Sequence, residues 1–401
     1  MAQGPAPPLS ATRPGAALSG ADAGDGLDQG AAAGNEQARD GRALAEELCR
    51  IGSEAGLDAV GVAPAEAFAS TRRHLEERKA AGLHGGMHFT YGDPSRSTDP
   101  ARALPGARAL VVGARSYRRA EPERPASPGL GRVARYSWDD VYAPLRTALG
   151  VVGERLRAGG WRARVLVDDN ALVDREAAYR AGLGWYGKNA NLLLAGHGSW
   201  FVLGSVVTDA PLPSDQTPMA DGCGSCTRCL PACPTGALVE PGVLDARRCL
   251  AWLLEAPGSF PVEFREALGG RVYGCDDCQE VCPPNRLEDR RAPPPAAQAS
   301  DEAWVELVEL LDTSDEELLA RFQRWYVPRR QARYLRRNAL VALGNVGDRS
   351  NPAVARVLAN ALADPDPLVR EHAEWAAERL GRRDLVEAAA LGSDAGRPGP
   401  R

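Results

Sequence analysis

Hydrophobic residues recur along this chain with more than one period. From Arg42 onward, Leu44, Leu48 and Ile51 fall three or four residues apart, the spacing of one helical face. Cys49 lies beside that stripe and reads as a core residue, since an unpaired cysteine packs as a small hydrophobe. "AVGVAP" (59–64) and "RALVVGARSY" (108–117) are short unbroken apolar runs, the pattern of buried strands, with a polar helical segment between them. Val141, Leu145, Leu149, Val152 and Leu156 make a second helical stripe, which Ser137 or Asp139 can cap. "ARVLVD" predicts a strand that ends at Asp168. A short helix follows, then "GLGWYGKN", read as a loop punctuated by glycine. "NLLL" and "WFVLGSVVTD" read as strands joined by the turn "AGHGS". This alternation predicts an α/β domain over residues 41–215.

The flanks differ from that domain. Residues 1–40 are rich in Ala, Gly and Pro without an apolar period, so burial cannot offset chain entropy and a disordered tail is expected. A cysteine-rich module is expected over 216–290, and "RAPPPAAQAS" reads as a linker. Residues 291–390 read as helical, and 391–401 as a second disordered tail. Within the helical part, Asn338-Ala339, Ala342-Leu343 and Val346-Gly347 are echoed 34 residues later by His372-Ala373, Ala376-Ala377 and Leu380-Gly381. Such an echo predicts stacked helical repeats. Two units are few for a free-standing stack, so they should pack on the rest of the protein.

Composition narrows the function. A formal net charge of −5 excludes a globally basic nucleic-acid coat, though not a local patch. No apolar run reaches eighteen residues and no secretory pattern opens the chain, so a cytoplasmic protein without a membrane span is expected. Eight of the nine cysteines lie between Cys223 and Cys282, which points to metal or redox chemistry rather than a disulfide frame.

Cys223-x2-Cys226-x2-Cys229-x3-Cys233-Pro234 fits the ferredoxin run for [4Fe–4S] ligation. Three thiolates in a tight loop can face three irons of one cube, and the fourth, ahead of a proline, serves the other. Cys275-x2-Cys278-x3-Cys282-Pro283 is a second, partial run, and Cys249 completes the count. The crossing rule puts Cys223, Cys226, Cys229 and Cys282 on one cluster. It puts Cys233, Cys249, Cys275 and Cys278 on the other. A pair of four-thiolate zinc sites is the alternative, but zinc ribbons use paired C-x2-C knuckles without a terminal Cys-Pro. Two neighbouring clusters form a relay for single electrons.

An acceptor site is expected between Val167 and Asp209. Asp168 closes a buried strand at the mouth of the sheet. Lys188, one of two lysines in the chain, follows a glycine-rich loop. Read alone, Asp168 serves equally as a helix cap and Lys188 as a surface charge. No GxGxxG or Walker A pattern follows a strand, which weakens nicotinamide and nucleoside triphosphate readings.

These residues carry a resemblance. The chain resembles the epoxyqueuosine reductases, which perform the last step of queuosine synthesis on tRNA. The likeness runs from about Ala45 to Leu380 and is strongest in "AGLGWYGKN", "GSWFVLG", "CGSCTRCLPACPTGAL", "RVYGCDDCQEVCPPNR" and "LRRNALVALGN". The resemblance implies a cobalamin-binding α/β domain, a ferredoxin-like module with two [4Fe–4S] clusters, and C-terminal HEAT-like helices. It implies that the clusters reduce cob(II)alamin toward cob(I)alamin, which drives loss of the epoxide oxygen from epoxyqueuosine. Two electrons and two protons enter, and water leaves.

The family's acid falls in a Val-Asp-Thr stretch that matches Val167-Asp168-Asp169, so Asp168 is the implied proton donor. The chemistry agrees: an epoxide opens by protonation of a poor alkoxide leaving group, and burial can raise a carboxyl pKa toward neutrality. Asn189, Leu192 and Leu203 match cobalamin-contacting positions. The loop Cys275-Asp276-Asp277-Cys278 is implied to lie against the corrin. Arg96 matches a contacting arginine, in a stretch one residue longer than usual. Ala251 stands near Cys249 where serine is commoner, and Ala143 where the family often has histidine.

Seven arginines lie within residues 321–337, interleaved with Phe322, Trp325, Tyr326 and Tyr334. Arginine pairs phosphates and aromatic rings stack on unpaired bases. With the resemblance, Arg329, Arg330, Arg333, Arg336 and Arg337 are implied to grip a tRNA anticodon stem-loop. Without it, a solvated helix face explains them. The resemblance also implies a flavodoxin- or ferredoxin-type reductant, and a monomer is expected. A corrinoid reductase of a small molecule, like the reductive dehalogenases, is disfavoured by the basic helical domain and the lack of a twin-arginine signal. A bare electron carrier is disfavoured by the size of the α/β domain.

Overall fold

The computed structural model describes residues 27–395, apart from 128, 215 and 299–301. In chain order its strands are β1 (Ala59–Pro64), β2 (Ala109–Ser116), β3 (Leu130–Val133), β4 (Ala163–Val167), β5 (Gly184–Tyr186), β6 (Leu192–Leu194), β7 (Phe201–Thr208), β8 (Leu238–Glu240), β9 (Val243–Leu244), β10 (Arg271–Tyr273) and β11 (Trp304–Glu306). Among the described residues no helix is long and apolar enough to cross a membrane.

The main sheet has the order β1-β2-β7-β4. Helices and strands alternate along the chain as expected, but every pairing in this sheet is antiparallel. One face packs on Leu48, Leu145, Leu149, Val152 and Leu156, from the helices Leu27–Glu54 and Tyr142–Ala158. The other packs on Phe68, Ala177, Ala178 and Ala181, around the helix Asp174–Arg180. Burial on both faces is why β2 reads as an unbroken apolar run. Each fully buried leucine here contributes roughly 1.5–3 kcal/mol.

Three local expectations are corrected. "GLGWYGKN" is not simply a loop: it contains β5, which forms an antiparallel hairpin with β6. A Cβ on Gly184 would lie 2.0 Å from the Leu193 carbonyl oxygen, so glycine here permits close approach of two backbones. The first helix begins at Leu27, inside the segment expected to be disordered, where Ala31–Ala33, Glu36, Gln37, Ala38 and Arg39 favour helix against Gly30 and Gly34. At the other end the last helix, Arg383–Ala395, runs past residue 390. The expected tails at 1–26 and 396–401 lie outside the described residues.

A second sheet was not foreseen. Its order is β10-β3-β11, one strand from each of the three expected regions. β10 runs parallel to β3, and β11 antiparallel to it. Val133, Val272, Tyr273, Val305 and Leu307 join Phe322, Trp325, Leu335 and Leu340 in one core.

Beyond β11 the chain forms the helices Arg333–Val346, Pro352–Leu362, Pro367–Arg379 and Arg383–Ala395. The echoed positions Asn338 and His372 are both buried. Asn338 Nδ2 donates to the carbonyls of Leu254 (2.9 Å) and Val272 (3.2 Å), and His372 Nε2 accepts from Phe260 N–H at 3.1 Å. The echo therefore marks polar anchors that bind these helices to the cysteine-rich segment.

Candidate active site

β4 ends at Val167, which pairs with Gly204, so Asp168 leaves the sheet beside Leu203. Asp168 has φ +52°, a left-handed conformation that few side chains adopt. The other non-glycine residues of this kind, among those described, are Thr90, Ala190, Arg329 and Arg330. Thr90 N–H donates to Asn170 Oδ1 at 3.1 Å, and Val173 N–H to the Ser97 carbonyl at 2.9 Å. These bonds dock the segment carrying Arg96 onto the Asp168 loop, with Arg96 itself exposed. Backbone outliers thus gather at the mouth of the sheet and in the basic stretch, as they do at functional sites.

Solvent reaches the Asp168 side chain, yet the protein around it raises its pKa. Partial desolvation is the main cause, opposed by Arg146 and reinforced by Asp169. Asp174, which opens the next helix, is pushed well up by burial and by the charge of Asp168. Glu255 is pushed up to about 7 by burial, against hydrogen bonds from Tyr136 and Tyr273, with Asp168 adding to the rise. Burial also raises Tyr142, which senses both Asp168 and Glu255. Sequence reasoning singled out only Asp168 of this group. Asp174 stood in the same motif-rich stretch, but Glu255 reads as the ordinary charged end of the helix Leu250–Glu255.

Of the implied cofactor positions, Asn189 contacts the Cys275–Cys278 loop. Asn189 is buried, its Oδ1 accepts from Asn191 N–H at 3.2 Å, and its Nδ2 donates to the Cys278 carbonyl at 3.4 Å. Leu192 is buried in β6, and Leu203 is partly buried beside Asp168. Ala251 lies one helical turn before Glu255, on the same face. Asp276 is buried. Its Oδ2 accepts from Arg135 N–H at 2.8 Å, while its Oδ1 has no partner. Asp277 is held by Arg271 at 2.6 Å.

Thiols within each expected quartet act electrostatically on one another. Cys229 and Cys282 each feel Cys223 and Cys226, and Cys282 also feels Cys229. Cys278 feels Cys233, Cys249 and Cys275. Burial pushes Cys275 and Cys282 up to about 12, with Asp277 adding to the rise at Cys275 and the neighbouring thiols Cys223, Cys226 and Cys229 at Cys282. Gly224, Ser225, Thr227 and Arg228 are exposed, so the first quartet lies near the surface. The second lies deeper, next to Asn189.

The "GSW" motif fastens the cysteine-rich segment to the sheet. Ser199 N–H donates to Asn285 Oδ1 at 2.7 Å, and Ser199 Oγ to Gln279 Oε1 at 2.8 Å. Gly198 has φ +78°, and a Cβ there would stand 1.8 Å from Asn285 Oδ1.

The basic stretch is corrected in part. Arg337 is 1% exposed and cannot reach a phosphate. Its guanidinium donates to the carbonyls of Leu253 and Leu254 (3.0 Å each), Ala256 (2.7 Å) and Gly258 (2.6 Å). It satisfies the orphan carbonyls that end the helix Leu250–Glu255. Arg336 is bound to Asp315 and to the Leu311 and Thr313 carbonyls, and Arg330 to the Trp325 carbonyl. Arg333 pairs with Asp366 at 3.2 Å. Phe322, Trp325 and Tyr334 are core residues rather than base-stacking platforms, while Tyr326 is 58% exposed.

Fold and site together define an iron–sulfur oxidoreductase: a cysteine-rich module packs against a sheet whose mouth carries carboxyls of raised pKa. Residues 222–285 match the family model of a 4Fe-4S double cluster binding domain. The epoxyqueuosine reductase of Pseudomonas aeruginosa is 37% identical over 347 residues, covering 84% of this chain and 95% of its own. That of Xanthomonas campestris is 36% identical, covering 84% and 96%. A crystal structure of epoxyqueuosine reductase with an epoxyqueuosine-modified tRNA-Tyr stem loop superposes with a TM-score of 0.78 at 32% identity, over 86% of this chain and 93% of that one. The Bacillus subtilis reductase, with its catalytic aspartate loop swung out of the active site, gives 0.77 at 32% identity, over the same shares. The chain belongs to the epoxyqueuosine reductase family.

Proposed function

We propose that this protein reduces epoxyqueuosine to queuosine at the wobble position of tRNA, passing electrons through two [4Fe–4S] clusters to a cobalamin at the mouth. The carrying observation is Asp168, at a strand end, left-handed and raised in pKa, on the side where Asn189 meets the deeper thiol quartet. Asn189, Leu192, Leu203, Ala251 and the 275–278 loop would hold the corrinoid, with Arg96 at the rim. The fit rests on chemistry present in this chain: the buried, unpartnered Asp276 Oδ1 suits the amide N–H groups that fringe a corrin ring. Bound cobalamin supplies a reduced metal centre that delivers electrons to the epoxide.

Asp168 holds the proton that the leaving oxygen requires, and its raised pKa keeps more of it protonated toward neutral pH. A catalytic aspartate loop that swings in a relative accords with the left-handed backbone of Asp168. The surface quartet receives electrons from a flavodoxin- or ferredoxin-type donor, and the chain works as a monomer. Arg329, Arg333 and Tyr326, with Arg330 and Arg336 partly committed to the fold, bind the stem-loop.

Protein purified without oxygen and supplied with cobalamin should hold roughly eight irons and about one cobalt. It should also convert an epoxyqueuosine stem-loop. Iron without cobalt overturns the corrinoid assignment, and no conversion by cobalt-loaded protein overturns the activity.

A further inference from the structure

We infer that the indole N–H of Trp185 donates a hydrogen bond to a bridging sulfide of the surface iron–sulfur cluster and raises that cluster's reduction potential. Trp185 is then a tuning residue of the electron path. The inference deepens the cluster reading proposed above and rests on it. The carrying observation is a buried donor without a partner. Trp185 is 9% exposed, and its Nε1 is buried with no hydrogen-bond acceptor among the described residues. A buried N–H left in that state is costly, so an acceptor belongs beside it.

The surroundings say which acceptor. Trp185 lies in β5 opposite Leu193 of β6, so the two side chains share one face of the hairpin. They form one small apolar cluster with Cys282, and Met219 and Cys223 pack against it. Cys223 and Cys282 come from the two ends of the cysteine-rich segment and belong to the same expected quartet. The indole also lies against the loop that carries this quartet. A Cβ on Gly222 would stand 2.6 Å from indole Cε2, the carbon bonded to Nε1, so glycine ahead of Cys223 makes room for the ring. Three residues beyond Trp185, Lys188 Nζ donates to the Gly224 carbonyl at 2.6 Å, between Cys223 and Cys226. The "GLGWYGKN" segment thus holds the 222–226 loop at two points, which gives Lys188 its place. Neither Leu193 nor Met219 offers an oxygen or nitrogen, and no thiol accepts from Nε1. The acceptor that suits the donor is a sulfide of the cluster those thiolates would hold.

The effect on potential has a fixed sign. An arriving electron makes the cluster's sulfurs more negative, so an N–H aimed at one of them stabilises the reduced form more than the oxidised form. The apolar ring of Leu193 and Met219 keeps water away and strengthens that bond. Trp185 thereby keeps the entry point of the path reducible by the flavodoxin- or ferredoxin-type donor.

The test uses the full chain, purified without oxygen, iron-loaded and without cobalamin. Reduction is followed by electron paramagnetic resonance as the potential is stepped. Wild type should hold roughly eight irons and show two one-electron waves. Trp185→Phe keeps an aromatic ring in place and removes the donor. One wave should move to lower potential by about tenfold in its reduction equilibrium, or about 59 mV. The other wave and the iron content should stay as they are. Two unmoved waves at equal iron content overturn the inference.

A second measurement needs no variant. Wild type grown with isotope-labelled indole nitrogen should show coupling of that nitrogen to one reduced cluster in pulsed resonance spectra. Absence of coupling to either cluster overturns the inference, even where Trp185→Phe fails to take up iron. Iron-loaded wild type without two waves overturns the cluster reading itself, and the inference falls with it.

Discussion

The mouth around Asp168 and the arginine-rich stretch 321–337 are both dense in charge, and the fold treats them in opposite ways. At the mouth, ionisable groups are left under-compensated. Asp168 and Asp174 are raised, Glu255 is held near neutrality, and Asp276 Oδ1 has no partner. Along the basic stretch most of the charge is consumed internally. Arg321 and Arg324 bind Glu302, Arg333 binds Asp366, Arg336 binds Asp315, and Arg337 caps a buried helix end. The difference lies in what surrounds each group. Helix ends and turns expose carbonyls that a guanidinium satisfies, whereas at the mouth burial and neighbouring carboxyls outweigh the pull of Arg146 on Asp168 and of Arg175 on Asp174. Charge that the fold leaves uncompensated is therefore the better guide to chemistry.

That contrast is breakable, most strongly at Asp168. Asp168→Asn should lower single turnover by about 10²–10⁴-fold, with iron content and stem-loop affinity unchanged. Wild-type turnover would remove Asp168 from the chemistry. Next comes Arg337→Met, which should cost about 3–5 kcal/mol, the scale for stripping one member of a buried polar set. Thermal unfolding should show a lowered Tm, while folded protein binds the stem-loop as before. Lost affinity with an unchanged Tm would place Arg337 on the RNA after all.

A smaller effect is expected for Arg329→Ala. It should weaken stem-loop binding and reduce the slope of log affinity against log salt by about 1. An unchanged slope would place the phosphate contact elsewhere. The smallest effect is a pH trend in stability. The folded state holds the Glu255 proton more tightly than the unfolded state, so stability falls as pH rises from the ordinary glutamate range toward 7. Tm values of wild type and Glu255→Gln should converge in acid and separate above neutrality, with the variant higher. Parallel Tm curves would show that Glu255 titrates normally.

Much of this was legible beforehand. The apolar runs located β1, β2, β4, β6 and β7, and the cysteine runs pointed to the double-cluster domain that residues 222–285 match. Strand direction was not legible, because a strand buried on both faces carries the same apolar signal in either orientation. β3, β10 and β11 are only three or four residues long, too short to show a period. Arg337 looked like its neighbours because burial is invisible in composition. Glu255 was missed because its character depends on Tyr136, Tyr142 and Tyr273, which only folding brings together.

The three-strand sheet β10-β3-β11 has a consequence for anyone who would divide this chain. Its apparent borders near 215 and 290 suggest separable pieces, yet each piece owns a single strand of one shared ladder. A fragment ending at residue 290 would leave β3 with an open edge beside exposed Val133 and Val272, an invitation to aggregate. A protease nick within 292–297 should leave the two halves associated under native conditions. The thiol quartets and the C-terminal helices are thereby locked at one separation, so whatever docks on the helices meets the redox path at a fixed distance.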